Sequence, residues 1–513
     1  MAKPFHELLA ASLARAEKAS KDGIVRTENL SRRDRERLLK GGWLEPIIAG
    51  WYLLASPRVK EGESTVWFAS FWNFIQQYLE EKFQENYCLS AESSLDIHTA
   101  DNIIPQQVVI IVKENINYTL TMPYQKSMLI YQDIAKFPKV IDVKNKLQVM
   151  PIDLALCRTS KLFFQKQSIN AKIALSMIRD PSEITRHLLE SGMIQSAGRL
   201  AGAYRFIHRT NFTTAIIETM KLAGFQVTES NPFNEPTSTA DAIYRHRIIS
   251  PYYARIMNMW ETMRTQVIAH FPKTKMRKLS FSNLIKSIDS NYVNDAYHSL
   301  SIEGYQVSKA LIEKIKLGKW NLSENELDLQ HRNALAAKGY YLSFLAIKNS
   351  IKKVFDGDHV IDVLQNDLSK WYQALFLPSV EAGLISVETL AGYRNDRVYI
   401  RYSQHVPPPK EAILDCMDAF FECLQNEKNP IVRAVLGHFI FVFIHPYMDG
   451  NGRIGRFMMN LLWCTSGYPW TIVRVESRKQ YLQALESASV DKNIVPLTLF
   501  LSDEMKESLE NRG

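Results

Sequence analysis

The sequence predicts a multidomain chain: a mainly α-helical C-terminal half carrying one β-hairpin, preceded by an α+β region. Three observations lead there. At 513 residues the chain exceeds what one ordinary core supports, so two to three domains are expected. Residues 228–240, TESNPFNEPTSTA, mix two prolines with Ser, Thr and Asn without apolar periodicity, as a linker does. Beyond them, stretches such as ARIMNMWETMRTQVIAHF, RNALAAKGYYLSFLAIKNSIKKVF and KEAILDCMDAFFECLQ repeat apolar residues at helical spacing. The exception is GYRNDRVYIRY at 392–402, which alternates around an Asn395-Asp396 turn and predicts a hairpin.

Composition is ordinary for a globular protein, with 46% hydrophobic and 23% charged residues. No apolar run approaches the ~20 residues that span a bilayer, so no membrane partner is expected. The N-terminal MAKPFHELLAASLARAEKASKDG is charged throughout and has no hydrophobic signal core. Five cysteines (88, 157, 416, 423, 464) form no C-x-x-C pair, which points to a reducing cytoplasm rather than a disulfide framework. No repeat or heptad run appears.

Charge is placed unevenly. Residues 1–60 hold twelve Lys/Arg against seven Asp/Glu, a surplus of five out of the chain's +8. A basic segment favours a polyanion, although a solvated basic face accounts for the same count. In LSRRDRERLLKGGWLEPIIAGWYLL, Ser31 can cap a helix from Arg32, with Leu38 and Leu39 on its buried side and Gly41-Gly42 ending it. Two short strands turned at Ala49-Gly50 then complete a winged-helix pattern. Arg32, Arg33, Arg35 and Arg37 would face DNA phosphates. The segment resembles the N-terminal winged helix of the type IV antitoxin family linked to bacterial abortive infection. YCLSAESSLDIHT, QQVVIIV and MPIDLALCRTSKL resemble that family's second domain. The expected division is therefore a DNA-binding-like domain (1–60), an antitoxin-like α+β domain (61–227), a linker (228–245) and a catalytic domain (246–513). A small packing domain with merely solvated arginines is the other reading of the N-terminal part.

The chemistry is concentrated in HPYMDGNGRIGR at 445–456. The helix from Pro430 must end near His445-Pro446, since proline disfavours helix in the residue before it. A new helix begins at GRIGRFMMNLLWCTSG and stops at Gly467. A glycine-rich loop feeding a helix N-terminus converges backbone N–H groups into an anion cradle suited to phosphate. Arg453 and Arg456 sit one turn apart near that N-terminus, unfavourable for the helix dipole unless an anion lies between them. Asp449 would repel phosphate unless a divalent cation such as Mg²⁺ intervenes. His445 is the group with a pKa fit to accept a proton near neutrality. The pattern H-P-x-x-[DE]-G-N-G-R-x-x-R fixes eight positions, and chance would produce it on the order of once in ten million such chains.

The segment resembles the signature loop of the Fic (Fido) family, which transfers AMP from ATP to protein hydroxyls, with Tyr447 where that family usually has phenylalanine. The resemblance covers about 250–505 and includes GYRNDRVYI, VPPP and RKQYLQAL. It implies a helical fold with one hairpin flap, and ATP and Mg²⁺ as reactants. His445 would be the base toward a Ser, Thr or Tyr hydroxyl, and Asp449 the Mg²⁺ ligand. Gly450, Asn451 and Gly452 would form the anion hole; Arg453 and Arg456 would bind the phosphates, the latter the γ-phosphate. Val398, Tyr399 and Ile400 would hold the target protein's backbone, and Arg478 and Tyr481 would lie near the base of the nucleotide. SLSIEG at 299–304 (Ser299, Glu303, Gly304) matches the family's inhibitory motif. There a carboxylate on Arg456 would deny the γ-phosphate its partner.

The expected protein is thus an autoinhibited adenylyltransferase, with a hydroxyl-bearing protein, including itself, as substrate, and with a homodimer compatible with the sequence. Two alternatives stand: AMP removal or transfer of another phosphate moiety on the same fold, and a DNA-binding regulator or antitoxin that only senses nucleotide.

Overall fold

The computed structural model describes residues 5–55, 65–234, 250–272, 280–320, 328–400 and 403–510. They fall into two compact units: Met1–Arg255 with Tyr399–Val406, and Ile256–Val398 with Pro407–Gly513.

The first unit opens with α1 (Phe5–Ala19), β1 (Ile24–Arg26), α2 (Arg32–Lys40), β2 (Leu44–Ile48) and β3 (Trp51–Leu54). Its antiparallel sheet has the order β1-β3-β2. Ser31 caps α2 as expected, its hydroxyl accepting from the Asp34 N–H. Leu38 is buried with Ala16, Val25, Leu30 and Leu44. Leu39, expected beside it, is instead exposed, because the next residue steps about 100° around the helix and leaves the buried stripe. Asp34 joins the two helices: it accepts hydrogen bonds from Ser12, Arg15 and Ser31. The Arg15 hydrogen bond chiefly holds its carboxyl far below the usual range.

After α3 (Thr65–Phe83) come β4 (Tyr87–Leu89), α4 (Ala91–His98), β5 (Gln107–Val112), β6 (Asn117–Thr121) and β7 (Ser127–Gln132). The sheet order is β4-β5-β7-β6, with β5 and β7 parallel and Gln107 opposite Ser127. The expected strand QQVVIIV supplies β5, whose Val108, Ile110, Ile111 and Val112 are buried, as a central strand's apolar run should be. A small pair, β8 (Asp142–Lys144) and β9 (Leu147–Val149), follows. Six helices close the unit: α5 (Ile152–Arg158), α6 (Lys161–Lys166), α7 (Ser168–Met177), α8 (Pro181–Glu190), α9 (Ile194–Phe206) and α10 (Thr210–Leu222). Residues 228–234, expected to start a free linker, are packed: the Ser230 N–H donates to the Gly198 carbonyl at 3.0 Å, and Phe233 stacks on Phe206. Residues 235–245 of that linker lie outside the described residues.

The second unit is helical: α11 (Pro251–His270, its first turn in the first unit), α12 (Phe281–Ile302), α13 (Lys309–Lys316), α14 (Asp328–Phe355), α15 (Val360–Glu381), α16 (Ile413–Asn426), α17 (Pro430–Ile444), α18 (Asn451–Thr465), α19 (Arg478–Val490) and α20 (Val495–Glu510). Pro430 takes the first helical position of α17, while the Asn429 side chain accepts from the N–H groups of Ile431 and Val432.

The hairpin expected at 392–402 does not appear as a paired ladder: residues 392–400 form no strand, and 401 and 402 lie outside the described residues. Arg394 gives the reason. It turns inward and donates to the carbonyls of His445, Asp396 and Pro408, which ties this stretch down by a side chain instead of by strand pairing. All five cysteines are buried and none forms a disulfide. Among the described residues no helix is long and apolar enough to cross a membrane.

Candidate active site

The site begins where α17 ends. Its run AVLGHFIFVFI is buried nearly throughout, so the helix end is fixed by packing. His445 caps it in the left-handed conformation, φ +53°, which costs a non-glycine residue energy and re-aims the chain into the loop. The ring Nδ1 lies 3.1 Å from the Val442 carbonyl, an acceptor, so Nδ1 carries the proton and Nε2 keeps a free lone pair. Burial pushes the imidazole pKa down, and the neighbouring Arg394 adds to that, so the ring is neutral at pH 7.

The loop is held rigid from inside. Tyr447 is buried and stacks on Tyr372 at 3.9 Å and 7°. The Asn451 side chain clamps the Tyr447 backbone, accepting from its N–H at 2.9 Å and donating to its carbonyl at 2.8 Å. Asn451 therefore shapes the anion cradle with its side chain rather than facing the anion. Gly450, at φ +80°, precedes α18, whose first turn presents the N–H groups of a helix N-terminus.

Both arginines of the motif are buried. Arg453 is 1% exposed, with its guanidinium 5.2 Å from the ring centres of both Tyr305 and Phe376. Its Nη2 lies 3.3 Å from Asp449 without hydrogen-bond geometry, and its Nε has no partner among the described residues. Asp449 itself is 61% exposed. A buried cation with unfilled donors beside a helix N-terminus is built for a multivalent anion.

Arg456 carries an anion already. Its Nη2 donates to Glu303 Oε1 at 2.7 Å and to the Ser299 carbonyl at 3.1 Å, while Nε donates to Ser299 Oγ at 3.0 Å. Burial works against this charge, but Glu303 outweighs it and holds the guanidinium protonated well above its usual range. The Glu303 carboxylate also lies over Gly452, where any Cβ would collide with it. One carboxylate thus sits on the cradle and on its arginine together.

The geometry that places it is a helix terminus. Glu303 caps α12; Gly304, at φ +88°, turns the chain back, with the Gly304 N–H donating to Ser301 O and the Tyr305 N–H to Leu300 O. This paired pattern is a Schellman motif and needs the left-handed residue that glycine supplies. The same turn brings Tyr305 over Arg453.

Several expected residues are placed otherwise. Arg478 donates from Nε to the Ile302 carbonyl at 2.7 Å, so it secures the end of α12. Tyr481 is buried and shares a 2.7 Å hydrogen bond with His438, whose pKa burial lowers to about 4. Tyr481 is thus packed between His438 and Phe500 and closed to solvent. Val398 is partly buried; Tyr399 and Ile400 cluster with the first unit. Of the N-terminal arginines, Arg33 is exposed, Arg32 is exposed but paired with Glu36, and Arg37 lies 3.8 Å from Asp34. Arg35 turns back to the carbonyls of Thr27 and Leu30, which removes it from any phosphate-facing set. Sequence reasoning missed Tyr305, Phe376 and Arg394. The aromatics carried no motif signal; Arg394 lay inside a misread alternation.

Residues 362–463 match the model of the Fic/DOC family. The chain is 29% identical over 211 residues to a protein adenylyltransferase Fic of Nematostella vectensis, covering 40% of this chain and 45% of that protein. It is 27% identical over 226 residues to a protein of the same name from Aedes aegypti, covering 43% and 41%. The chain thus spans less than half the length of these curated relatives. A solved structure of Fic-1 (aa134 - 508) from C. elegans aligns at 18% identity over 67% of this chain and 97% of that one, with a TM-score of 0.37. The rigid loop between α17 and α18 lies inside the span that matches the Fic/DOC family model, residues 362–463.

Proposed function

We propose that this protein is an adenylyltransferase that moves AMP from ATP to a Ser, Thr or Tyr hydroxyl of a protein, and that Glu303 restrains it. The observation that carries the reading is a neutral histidine with a free Nε2 beside a helix N-terminus that holds two buried arginines. His445 Nε2 takes the hydroxyl proton as the oxygen attacks the α-phosphorus. A new P–O bond forms to the protein, the bond to the bridging oxygen breaks, and pyrophosphate leaves. The α18 N-terminus and Arg453 stabilise the charge that develops on the phosphoryl oxygens. Arg456 aligns the γ-phosphate so that pyrophosphate departs opposite the attacking oxygen. The exposed Asp449 fits Mg²⁺, which takes one or two carboxylates and fills its shell from phosphate and water; bound there, it would neutralise phosphate charge. The relatives' printed name supports the same activity.

The helix, three-stranded sheet and hairpin of 5–54 support a winged-helix reading with DNA as partner, reached through Arg33 and Arg32. Five buried cysteines outside any disulfide support a reducing cytoplasm. The test of the main reading is intact-mass measurement of a target protein after incubation with ATP, Mg²⁺ and enzyme. A gain of one AMP residue, absent with His445→Ala, is expected; a gain of one phosphate would replace the reading with phosphotransfer.

A further inference from the structure

We propose that Arg394 is a positioning residue for His445: it fixes the backbone on which the imidazole stands. The inference rests on the base role given to His445 above. Arg394 Nε donates to the His445 carbonyl at 2.8 Å, and the Arg394 backbone N–H donates to the Pro446 carbonyl at 2.8 Å. The guanidinium is itself seated by two further carbonyls. Its Nη1 donates to that of Asp396 at 3.0 Å and its Nη2 to that of Pro408.

The chain around His445 explains the need for such a holder. His445 stands in a left-handed conformation that a residue with a Cβ keeps only when its surroundings impose it. Pro446 has no N–H to contribute, so these two residues are gripped chiefly through their carbonyls. From His445 to Tyr447 every backbone polar group has a partner. The His445 N–H donates to the Phe441 carbonyl at 3.0 Å, Arg394 takes the carbonyls of His445 and Pro446, and Asn451 takes both groups of Tyr447. Phe441 and Asn451 belong to α17 and α18, the helices that flank the loop. Arg394 comes from 51 residues away and holds the loop from outside.

The choice of arginine is physical. A planar guanidinium donates in several fixed directions at once, which a lysine ammonium on a flexible stem does not reproduce. The side chain is buried, its contacts are carbonyls, and among the described residues no carboxylate forms an ion pair with it. Its charge therefore stays uncompensated beside the base. Burial is the main reason the His445 ring is neutral, and Arg394 adds to it. The Val442 carbonyl, Glu303 from the end of α12 and Asp449 from the loop work in the opposite direction.

The test takes full-length Glu303→Gly protein as parent and adds Arg394→Met or Arg394→Lys. AMP transfer from α-labelled ATP is followed across pH at saturating ATP and Mg²⁺, and ATP affinity is measured by calorimetry. Arg394→Met keeps the length of the side chain but has neither donors nor charge. It is expected to lower the saturated rate about thirtyfold, within the cost of an ångström of misplacement. ATP affinity should stay at the parent's level, since Arg394 holds the base and not the phosphates. The rate should begin to fall at a higher pH than in the parent, because a cation that opposes the imidazolium is gone. Arg394→Lys keeps the charge and gives up the fork, so it should lose only about tenfold and retain the parent's pH dependence. It carries the test alone if Arg394→Met does not fold. A parental rate in either variant, ATP affinity lost in step with the rate, or Arg394→Lys as slow as Arg394→Met would overturn the proposal. Parent protein that transfers no AMP would instead sink the adenylyltransfer reading, and this inference with it.

Discussion

Glu303 Oε1 lies 2.7 Å from Arg456 Nη2, and the same carboxylate fills the space over Gly452 at the mouth of the α18 cradle. A group that blocks both the arginine and the anion hole should restrain transfer strongly. Replacing Glu303 by Gly is expected to raise self-labelling from α-labelled ATP by at least tenfold. Glu303→Asp should fall between, since its charge persists while its reach shortens. Arg456→Ala added to Glu303→Gly should remove the gain. Labelling of the double variant as strong as that of Glu303→Gly alone would mean Arg456 does not align the nucleotide.

The turn at Gly304 predicts a subtler effect. At φ +88° an alanine there costs about 1 kcal/mol although space is open. Strain at the Schellman turn should loosen the Glu303 contact without removing the acid. Gly304→Ala should therefore label at a level between wild type and Glu303→Gly. A level equal to wild type would show that the turn does not set the carboxylate's position.

His445 gives a pH prediction. Burial lowers its pKa below the ordinary imidazole value, so the base form predominates at pH 7. Transfer by the Glu303→Gly protein should persist to lower pH than an ordinary imidazole base would allow and fall as pH drops through the lowered pKa. His445→Ala should lower transfer at least a hundredfold while leaving ATP affinity near that of its parent. Lost ATP affinity would reassign His445 to structure, and a rate falling already above pH 7 would assign the base elsewhere.

The N-terminal module offers two separable tests. Asp34→Ala leaves the hydroxyls of Ser12 and Ser31 and the Arg15 guanidinium without their shared acceptor, which should cost about 2 kcal/mol in a denaturant titration of that unit. Arg32→Ala with Arg33→Ala should leave stability alone and weaken salt-sensitive DNA binding. Full-length protein with no such binding would leave the module a packing or protein-docking unit.

Legibility in the sequence followed the length scale of the forces. The break before proline, the first-turn Pro430, the Ser31 cap and the glycine-rich loop are local, and the structure places them as read. The Glu303–Arg456 pair spans 153 residues and became readable only because both ends lie in motifs. The Tyr305–Arg453–Phe376 stack joins three separate segments with no pattern to reveal it. The 392–400 stretch misled because alternation reports the period of side chains, whereas Arg394 chose the carbonyls of His445 and Pro408 over a ladder. Arg35 likewise looked free in sequence, yet carbonyls of Thr27 and Leu30 within reach claimed it.

The most direct measurement compares α-labelled with γ-labelled ATP on wild type, Glu303→Gly and Glu303→Gly with His445→Ala, read as label retained on protein. The account predicts α-label on Glu303→Gly, far less on wild type, none on the His445 variant, and γ-label on no sample. Retained γ-label, or equal α-label on wild type and Glu303→Gly, would contradict it.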